Sequence, residues 1–146
     1  MSRGSGRRRQ CSRADALARL SHATAYLNTA RRVRDDAEAG AQHVATGNAV
    51  LAAIAASDAI CCALLGERPR GADHREAVAV VMSVRRGHGT PAADAKWARG
   101  PADDLAQALD SKDDSHYGVA GIALDAQTRA IRAAERLVSA AREVLT

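Results

Sequence analysis

The central stretch of the chain, from Gly47 to Leu65, combines a helical pattern of apolar residues with one inward-facing charge. Its larger apolar side chains recur at the spacing of one helix face, at Leu51, Ile54, Cys61, Cys62 and Leu65. Asp58 lies seven residues after Leu51 and seven before Leu65, so two heptads place its carboxylate on the same face. The pattern predicts a buried central helix. Because a buried carboxylate is costly without a partner, we expect another part of the chain to bring a hydrogen-bond donor to Asp58.

A second long helix is predicted before the central one. It runs from about Ala14 to Ala39, and the glycine that follows ends it. Its inward stripe consists of Leu20, Ala23, Leu27, Ala30, Val33 and Ala37. The central helix then begins near Gln42 or Thr46 and ends at Gly66.

The segment after the central helix predicts a loop followed by a short third helix. Pro69 and Gly71 keep residues 68–72 out of a helical conformation. Asp73 has the position of an N-cap in a capping-box pattern, which places His74 in the first turn of the third helix.

Two further long helices complete the pattern. Thr90 and Pro91 predict the N-cap and first residue of the fourth helix, and Gly100-Pro101 must kink or restart it. The residues near one face of this helix are Trp97, Leu105, Leu109 and Lys112. Asp125 is the expected cap of the last helix. The inward residues of the last helix are Ile131, Ala134, Val138, Ala141 and Leu145.

Four long helices and one short one, joined by short connections, predict an all-α fold, an antiparallel four- to five-helix bundle. Residues 14–146 form this bundle as a single domain, and residues 1–13 form a disordered basic tail. Only 2% of the residues are aromatic, so the small side chains must allow the helices to pack closely.

The positive charge of the chain is concentrated in the tail. The formal net charge is +4, and the first 13 residues contain five arginines and no acid. Without these five, 16 of the 21 basic residues remain against 17 acidic ones, so the bundle is nearly neutral. If the tail does more than keep the protein soluble, we expect it to bind nucleic acid through Arg7, Arg8 and Arg9.

The cysteines and the apolar runs predict a cytoplasmic protein. Adjacent Cys61 and Cys62 make a poor disulfide pair and are expected to be small core hydrophobes. Cys11, in the tail, is expected to be a free thiol. Ser57 and Asp58 interrupt the longest apolar run, and no apolar segment follows the N-terminal arginines. We therefore expect neither a membrane span nor a secretory signal.

We expect no cofactor and no metal ion. The chain has no Cys-x-x-Cys pair, no two histidines one helical turn apart and no glycine-rich nucleotide loop. A metal site would require Asp58, His74 and His116 to converge.

Two interpretations of the polar residues remain open. In the first, inward polar side chains form a buried network that fixes the helix register, and its members are Asp58, His116 and Tyr117. In the second, the chain cleaves RNA by acid–base chemistry. His74 then moves protons while Arg68 or Arg70 holds the phosphate.

The chain resembles HEPN domains in the order of its segments. These are a long helix, GNAVLAAIAASDAICCALLGERPRGADH, a distal LAQALDSKDDSHYG and an amphipathic terminal helix. It is similar in particular to small HEPN-like proteins of high-GC actinobacteria, and the resemblance covers residues 14–144. The ribonucleases of that family carry an arginine, four to six residues and a histidine, a pattern that Arg68 and His74 match with five residues between them.

The resemblance implies a helical bundle that forms homodimers. Many HEPN domains are toxin ribonucleases or partners of nucleotidyltransferases, and others bind without catalysis. We therefore expect a non-enzymatic module that binds RNA, DNA or a protein partner such as an antitoxin or a nucleotidyltransferase. The alternative is a metal-independent, toxin-type endoribonuclease that uses Arg68 and His74.

Overall fold

The computed structural model describes residues 8–36, 38, 40–71, 73–112 and 124–146. These residues form five helices and two short strands. In chain order they are β1 (Arg8–Gln10), α1 (Arg13–Arg34), α2 (Ala41–Leu65), β2 (Glu67–Pro69), α3 (His74–Met82), α4 (Pro91–Asp110) and α5 (Leu124–Leu145). The four long helices and the short third one confirm the predicted all-α bundle.

α1 begins at a reciprocal cap and ends before a run of acids. The hydroxyl oxygen of Ser12 accepts a hydrogen bond from the backbone N–H of Asp15 at 3.1 Å, and Asp15 Oδ2 accepts one from the N–H of Ser12 at 2.8 Å. The predicted end at Ala39 is wrong, because the helix stops at Arg34. Acidic residues follow, beginning with Asp35, and negative charge is unfavourable at a helix C-terminus.

α2 is the central helix, as the sequence predicts. It packs against α1, α3, α4 and α5, and between residues 52 and 62 only Ile54 is not buried. Gly40 and Gly66 flank the helix with φ of 88° and 69°, a left-handed conformation that glycine adopts without steric cost. Leu51, predicted to face inward, is 36% exposed. The packed surface of α2 therefore extends around its many alanines and not along one stripe.

α2 and α5 both run antiparallel to α1. Arg13 at the start of α1 donates a hydrogen bond to the carbonyl of Leu145 at the end of α5, at 3.0 Å. Cys11, just before α1, is bonded to Cys62 near the end of α2. The predicted inward face of α5 is confirmed, since all five residues are buried: Ile131, Ala134, Val138, Ala141 and Leu145.

α4 contains a proline in its interior and still runs unbroken over 20 residues. The hydroxyl oxygen of Thr90 accepts a hydrogen bond from the N–H of Ala93 at 3.1 Å, which confirms the predicted N-cap. The expected restart at Pro101 does not occur, and the proline ring is buried. Leu105 and Leu109 are also buried, as predicted.

A small antiparallel ribbon joins the N-terminal segment to the segment after α2. β1 pairs with β2 so that Arg8 lies opposite Pro69, Arg9 opposite Arg68 and Gln10 opposite Glu67. The predicted disorder is therefore wrong for residues 8–13, and the predicted loop is wrong for its first two residues. Three-residue strands are too short to show a hydrophobic period, and their pairing depends on segments far apart in the chain.

A disulfide bond anchors this ribbon. Cys11 and Cys62 are bonded with their Cα atoms 5.4 Å apart, and the N–H of Cys11 donates to the carbonyl of Gly66 at 2.9 Å. The predicted free thiol at Cys11 is therefore wrong, because the antiparallel packing of α1 and α2 brings the two cysteines together. Cys61 is a buried free thiol as expected, and burial raises its pKa to about 12.

α2 is long and apolar enough, by length and composition alone, to cross a membrane. In the folded chain, 67% of its most apolar window is buried inside the bundle. This degree of burial is typical of the core helix of a soluble protein.

Candidate anion-binding site

Asp58 meets two arginines at the edge of the core. It is 5% exposed. Its Oδ2 accepts a hydrogen bond from Arg19 Nη2 at 2.9 Å and lies 3.7 Å from Arg68 Nη1. Arg19 belongs to α1 and Arg68 to β2, so three elements meet at this carboxylate. The prediction that a distant donor reaches Asp58 is confirmed, although arginines take the place of the expected histidine.

Burial has the largest effect on the pKa of Asp58. It raises the pKa of this carboxyl above its ordinary value of 3.8, and the charges of Arg19 and Arg68 cancel only part of that effect. The two guanidinium groups lower the cost of a buried charge, and the carboxylate in turn fixes their direction. Both arginines are consequently held at the wall of the cleft beside Asp58.

This cleft has a volume of about 210 Å³. Four cationic side chains line it, Arg19, Arg68, Arg70 and Lys112, against two carboxylates. The remaining walls are largely apolar and include Ile54, Ala77, Leu105 and Leu109. A cleft with low-dielectric walls and an excess of positive charge concentrates anions.

His74 lines the same cleft from the first turn of α3. Asp73 fixes this position as the N-cap of the helix, because its Oδ1 accepts a hydrogen bond from the N–H of Arg75 at 2.9 Å. His74 Nε2 lies 3.4 Å from Lys112 Nζ. The predicted contact between Asp58 and a histidine is therefore wrong for His74, since arginines occupy that carboxylate.

All three residues that the sequence indicates for catalysis line this one cleft: His74, Arg68 and Arg70. Arg68 is partly buried and paired with Asp58. Arg70 is exposed, and it makes no hydrogen bond or ion pair with any residue that the structure describes. Guanidinium groups bind phosphate through short, charge-assisted hydrogen bonds. The arrangement is therefore suited to holding a phosphate, with an imidazole close by.

Sequence reasoning missed two cations of the cleft, Arg19 and Lys112. Arg19 lies three residues after Ala16 and four before Ala23, both of which are fully buried. Helical spacing therefore places Arg19 on the inward face of α1, and this was a usable signal for a partner of Asp58. The spacing of Lys112 places it on the inward face of the fourth helix, but the sequence alone indicates no role for it.

Several predicted residues lie outside the described residues, namely Arg7, His116 and Tyr117. The network proposed for Asp58 with His116 and Tyr117 thus stays a prediction. Arg8 and Arg9, expected in the tail, lie in β1, where Arg8 Nη1 is 3.5 Å from Glu67 Oε2.

The side-chain chemistry of the cleft does not favour a metal ion. Within the described ranges, no group of three or more histidine, cysteine, aspartate or glutamate side chains is placed to hold one. The excess of guanidinium and ammonium groups in the cleft would also repel a cation. An anion is the ligand that the cleft favours.

Comparison with known proteins leaves the cleft as the main guide to function. No protein-family model matches the chain, and no curated protein sequence matches it. The resemblance to HEPN domains therefore rests on the order of the segments and the Arg68-to-His74 spacing alone.

Proposed function

We propose that this protein is a HEPN-like helical module that binds nucleic acid without cleaving it, by holding backbone phosphate in the cleft beside Asp58. One observation carries the proposal. Arg19 of α1, the neighbouring Arg68 and Arg70 at β2, and Lys112 after α4 come from three separate segments of the chain and line a single cleft. Asp58 pairs with Arg19 and Arg68, but the four cations still outnumber the two carboxylates of the lining, and a bound anion would offset this excess of positive charge.

The cleft also favours phosphate over a nucleobase as the bound group. Among the described residues that line it, the imidazole of His74 is the one aromatic ring, so the cleft offers little of the stacking platform that most single-strand binders present to bases. Contacts to phosphate carry no sequence information. We therefore expect binding that depends weakly on sequence and strongly on salt.

The test is fluorescence anisotropy with a labelled single-stranded RNA, and its DNA counterpart, over a series of salt concentrations. Arg68→Gln should weaken binding by about tenfold, because it removes a charge-assisted hydrogen bond. It should also make the negative slope of log K against log salt shallower by about 0.7, as expected for one lost phosphate contact on a single strand.

The matched control is Arg99→Gln. Arg99 is an exposed residue of α4 that does not line the cleft. This variant has the same charge change and should bind like the wild type. Equal losses in the two variants would show that only net charge matters, and an absence of binding by the wild type at low salt would refute the proposal.

A metal-independent endoribonuclease is the second candidate, and the position of His74 favours it. His74 lines the same cleft as Arg68 and Arg70. An imidazole can transfer protons to or from the reacting oxygens while an arginine stabilises the charge on the phosphate. This arrangement would need no metal ion for RNA cleavage.

Incubation of the purified protein with labelled single-stranded and structured RNA in EDTA tests this candidate. Cleavage by the wild type that is lost in His74→Ala, with the melting temperature unchanged, would establish the ribonuclease. RNA binding without cleavage by either protein would favour the non-enzymatic module.

Two finer proposals concern a homodimer, which the resemblance supports, and a cytoplasmic location, which the interrupted apolar run and the N-terminal sequence support. Sedimentation velocity tests the first directly. The Cys11–Cys62 bond bears on the second, because disulfides persist mainly in oxidising compartments. Thiol alkylation in denaturant immediately after lysis of the native cells, followed by mass spectrometry, would detect two protected cysteines if the protein comes from an oxidising compartment and three reactive ones if it comes from a reducing cytoplasm. An antitoxin or a nucleotidyltransferase remains the expected class of protein partner.

A further inference from the structure

We propose that the β1–β2 ribbon carries a second phosphate subsite, formed by Arg8, Arg9 and Arg70, that binds the backbone of a single strand where it leaves the cleft. The inference rests on the proposed function, because it extends the same site. It names the ligand as a single-stranded nucleic acid long enough to reach both subsites.

The first observation is that the two concavities share a wall. A second concavity, of about 530 Å³, is lined by Arg8, Arg9, Gln10 and Arg70. Arg70 also lines the cleft beside Asp58, so a strand that passes Arg70 contacts both. The second concavity has three cationic side chains and no carboxylate in its lining.

The second observation is a like-charge pair across the ribbon. Arg9 lies directly opposite Arg68 in the antiparallel register, and residues in such positions project from the same face. Like charges at opposed positions destabilise a strand pair. The side chain of Arg9 makes no hydrogen bond or ion pair with any described residue, and the exposed carboxylate of Asp15 attracts both arginines only through its charge. A phosphate bound near these two guanidinium groups would remove their repulsion.

The third observation is that the ribbon is fixed in place despite this repulsion. Strands of three residues are marginal by themselves. The Cys11–Cys62 bond and the hydrogen bond from Cys11 N–H to the carbonyl of Gly66 hold β1 against the end of α2. The cations of the ribbon are therefore presented in a fixed position, which lowers the entropic cost of binding a ligand.

The ligand is a flexible single strand and not a duplex. The cleft is lined by residues of α1, α2, β2, α3 and α4 and of the segment after β2. A sugar-phosphate backbone with its bases turned outward can enter such a space, whereas a rigid double helix can only lie across its mouth.

The experiment compares a short and a long probe by isothermal titration calorimetry at low salt, with the full chain. The short probe is a 5′-phosphorylated dinucleotide, which is long enough for the cleft alone, and the long probe is a twelve-nucleotide oligouridylate. The wild type should bind the long probe at least about tenfold more tightly than the short one. The double variant Arg8→Gln/Arg9→Gln should lose most of this advantage while its affinity for the short probe is unchanged.

Two further variants make the result specific. The control Arg99→Gln/Arg132→Gln changes two exposed arginines of α4 and α5 and should retain the advantage of the long probe. The conservative Arg8→Lys/Arg9→Lys, which keeps the charge, should retain most of it. If the ribbon fails to form in the glutamine variant, the lysine variant together with the salt slope of the wild type for each probe still tests the inference.

The failures of the two proposals are distinguishable. Absence of binding for both probes would refute the proposed function. Binding of the short probe with no gain for the long one would overturn the second subsite alone. The same conclusion would follow if the glutamine variant lost the same factor of affinity for both probes, or if the wild type showed identical salt slopes for the two probes.

Discussion

The middle of α2 and its C-terminal end lie in regions that are stabilised in different ways. The middle belongs to an apolar core of alanines and of fully buried aliphatic side chains such as Ile131 and Leu137. The C-terminal end lies next to the ribbon and the cleft. There the disulfide and the pairing of β1 with β2 position the arginines of the ribbon, and Asp58 pairs with Arg19 in the cleft. Burial of apolar surface is insensitive to salt and pH, whereas charge pairs respond to both. The apolar core thus stabilises the fold, and the basic end carries the charged side chains of the candidate anion-binding site.

The largest expected effect comes from breaking the covalent link between these regions. Cys11→Ser removes a bond between two cysteines that are 51 residues apart. Without this bond the unfolded chain has more conformational entropy, which should lower the free energy of unfolding by about 4 kcal/mol. Urea unfolding of the wild type and the variant measures this difference. A reducing agent should lower the free energy of unfolding of the wild type to that of the variant, and it should leave the stability of the variant unchanged. A loss under about 1 kcal/mol would contradict the view that this bond is the main support of the basic end.

The next effect separates stability from binding within one helix. Leu137 is fully buried in α5, and Leu124 of the same helix is 64% exposed. Leu137→Ala should lower the free energy of unfolding by about 3 kcal/mol, and Leu124→Ala by less than about 0.5 kcal/mol. Both variants, while folded, should bind the RNA probe like the wild type. A selective loss of RNA binding in folded Leu137→Ala would show that the two regions are coupled.

A smaller effect is expected at Asp58, where the regions meet. Asp58→Ala leaves Arg19 without the acceptor of its 2.9 Å hydrogen bond, which should cost about 1–3 kcal/mol. Asp58→Asn keeps an oxygen acceptor and should cost less. Because it also removes a negative charge from the cleft, it should tighten phosphate binding. Weaker binding by a folded Asp58→Asn would indicate that the carboxylate is needed to orient the arginines.

The pH dependence of stability gives a second test at the same residue. Burial raises the pKa of Asp58 in the folded chain above the ordinary value of 3.8. The folded state therefore binds this proton more tightly than the unfolded state, and the contribution of Asp58 to stability is greatest below pH 3.8 and is lost as the pH rises through the folded pKa. The stability of the wild type relative to Asp58→Asn should thus fall with rising pH in a series of urea titrations that begins below 3.8. A relative stability that rises over this window would mean that the arginines outweigh burial.

Local periodicity was sufficient to predict the helices, but not the basic end. The spacing of Ile131, Ala134 and Val138 alone was enough to predict the buried face of α5, because a helix repeats its pattern over many residues. The ribbon has no such repeat, and the partner of Cys11 lies 51 residues away. Arg19 is an intermediate case, since its spacing from Ala16 and Ala23 placed it inward while its contact with Asp58 depended on how α1 packs against α2.

The Cys11–Cys62 bond also makes the first two helices a closed covalent loop. A protease that cuts the connection between α1 and α2, for example after Arg34, divides the backbone without separating the molecule. On a denaturing gel the nicked chain would migrate as two fragments only after reduction. The N-terminal fragment, with α1 and the basic strand, would otherwise travel with the rest of the protein. The strand β1 is consequently retained after any single cleavage between Cys11 and Cys62.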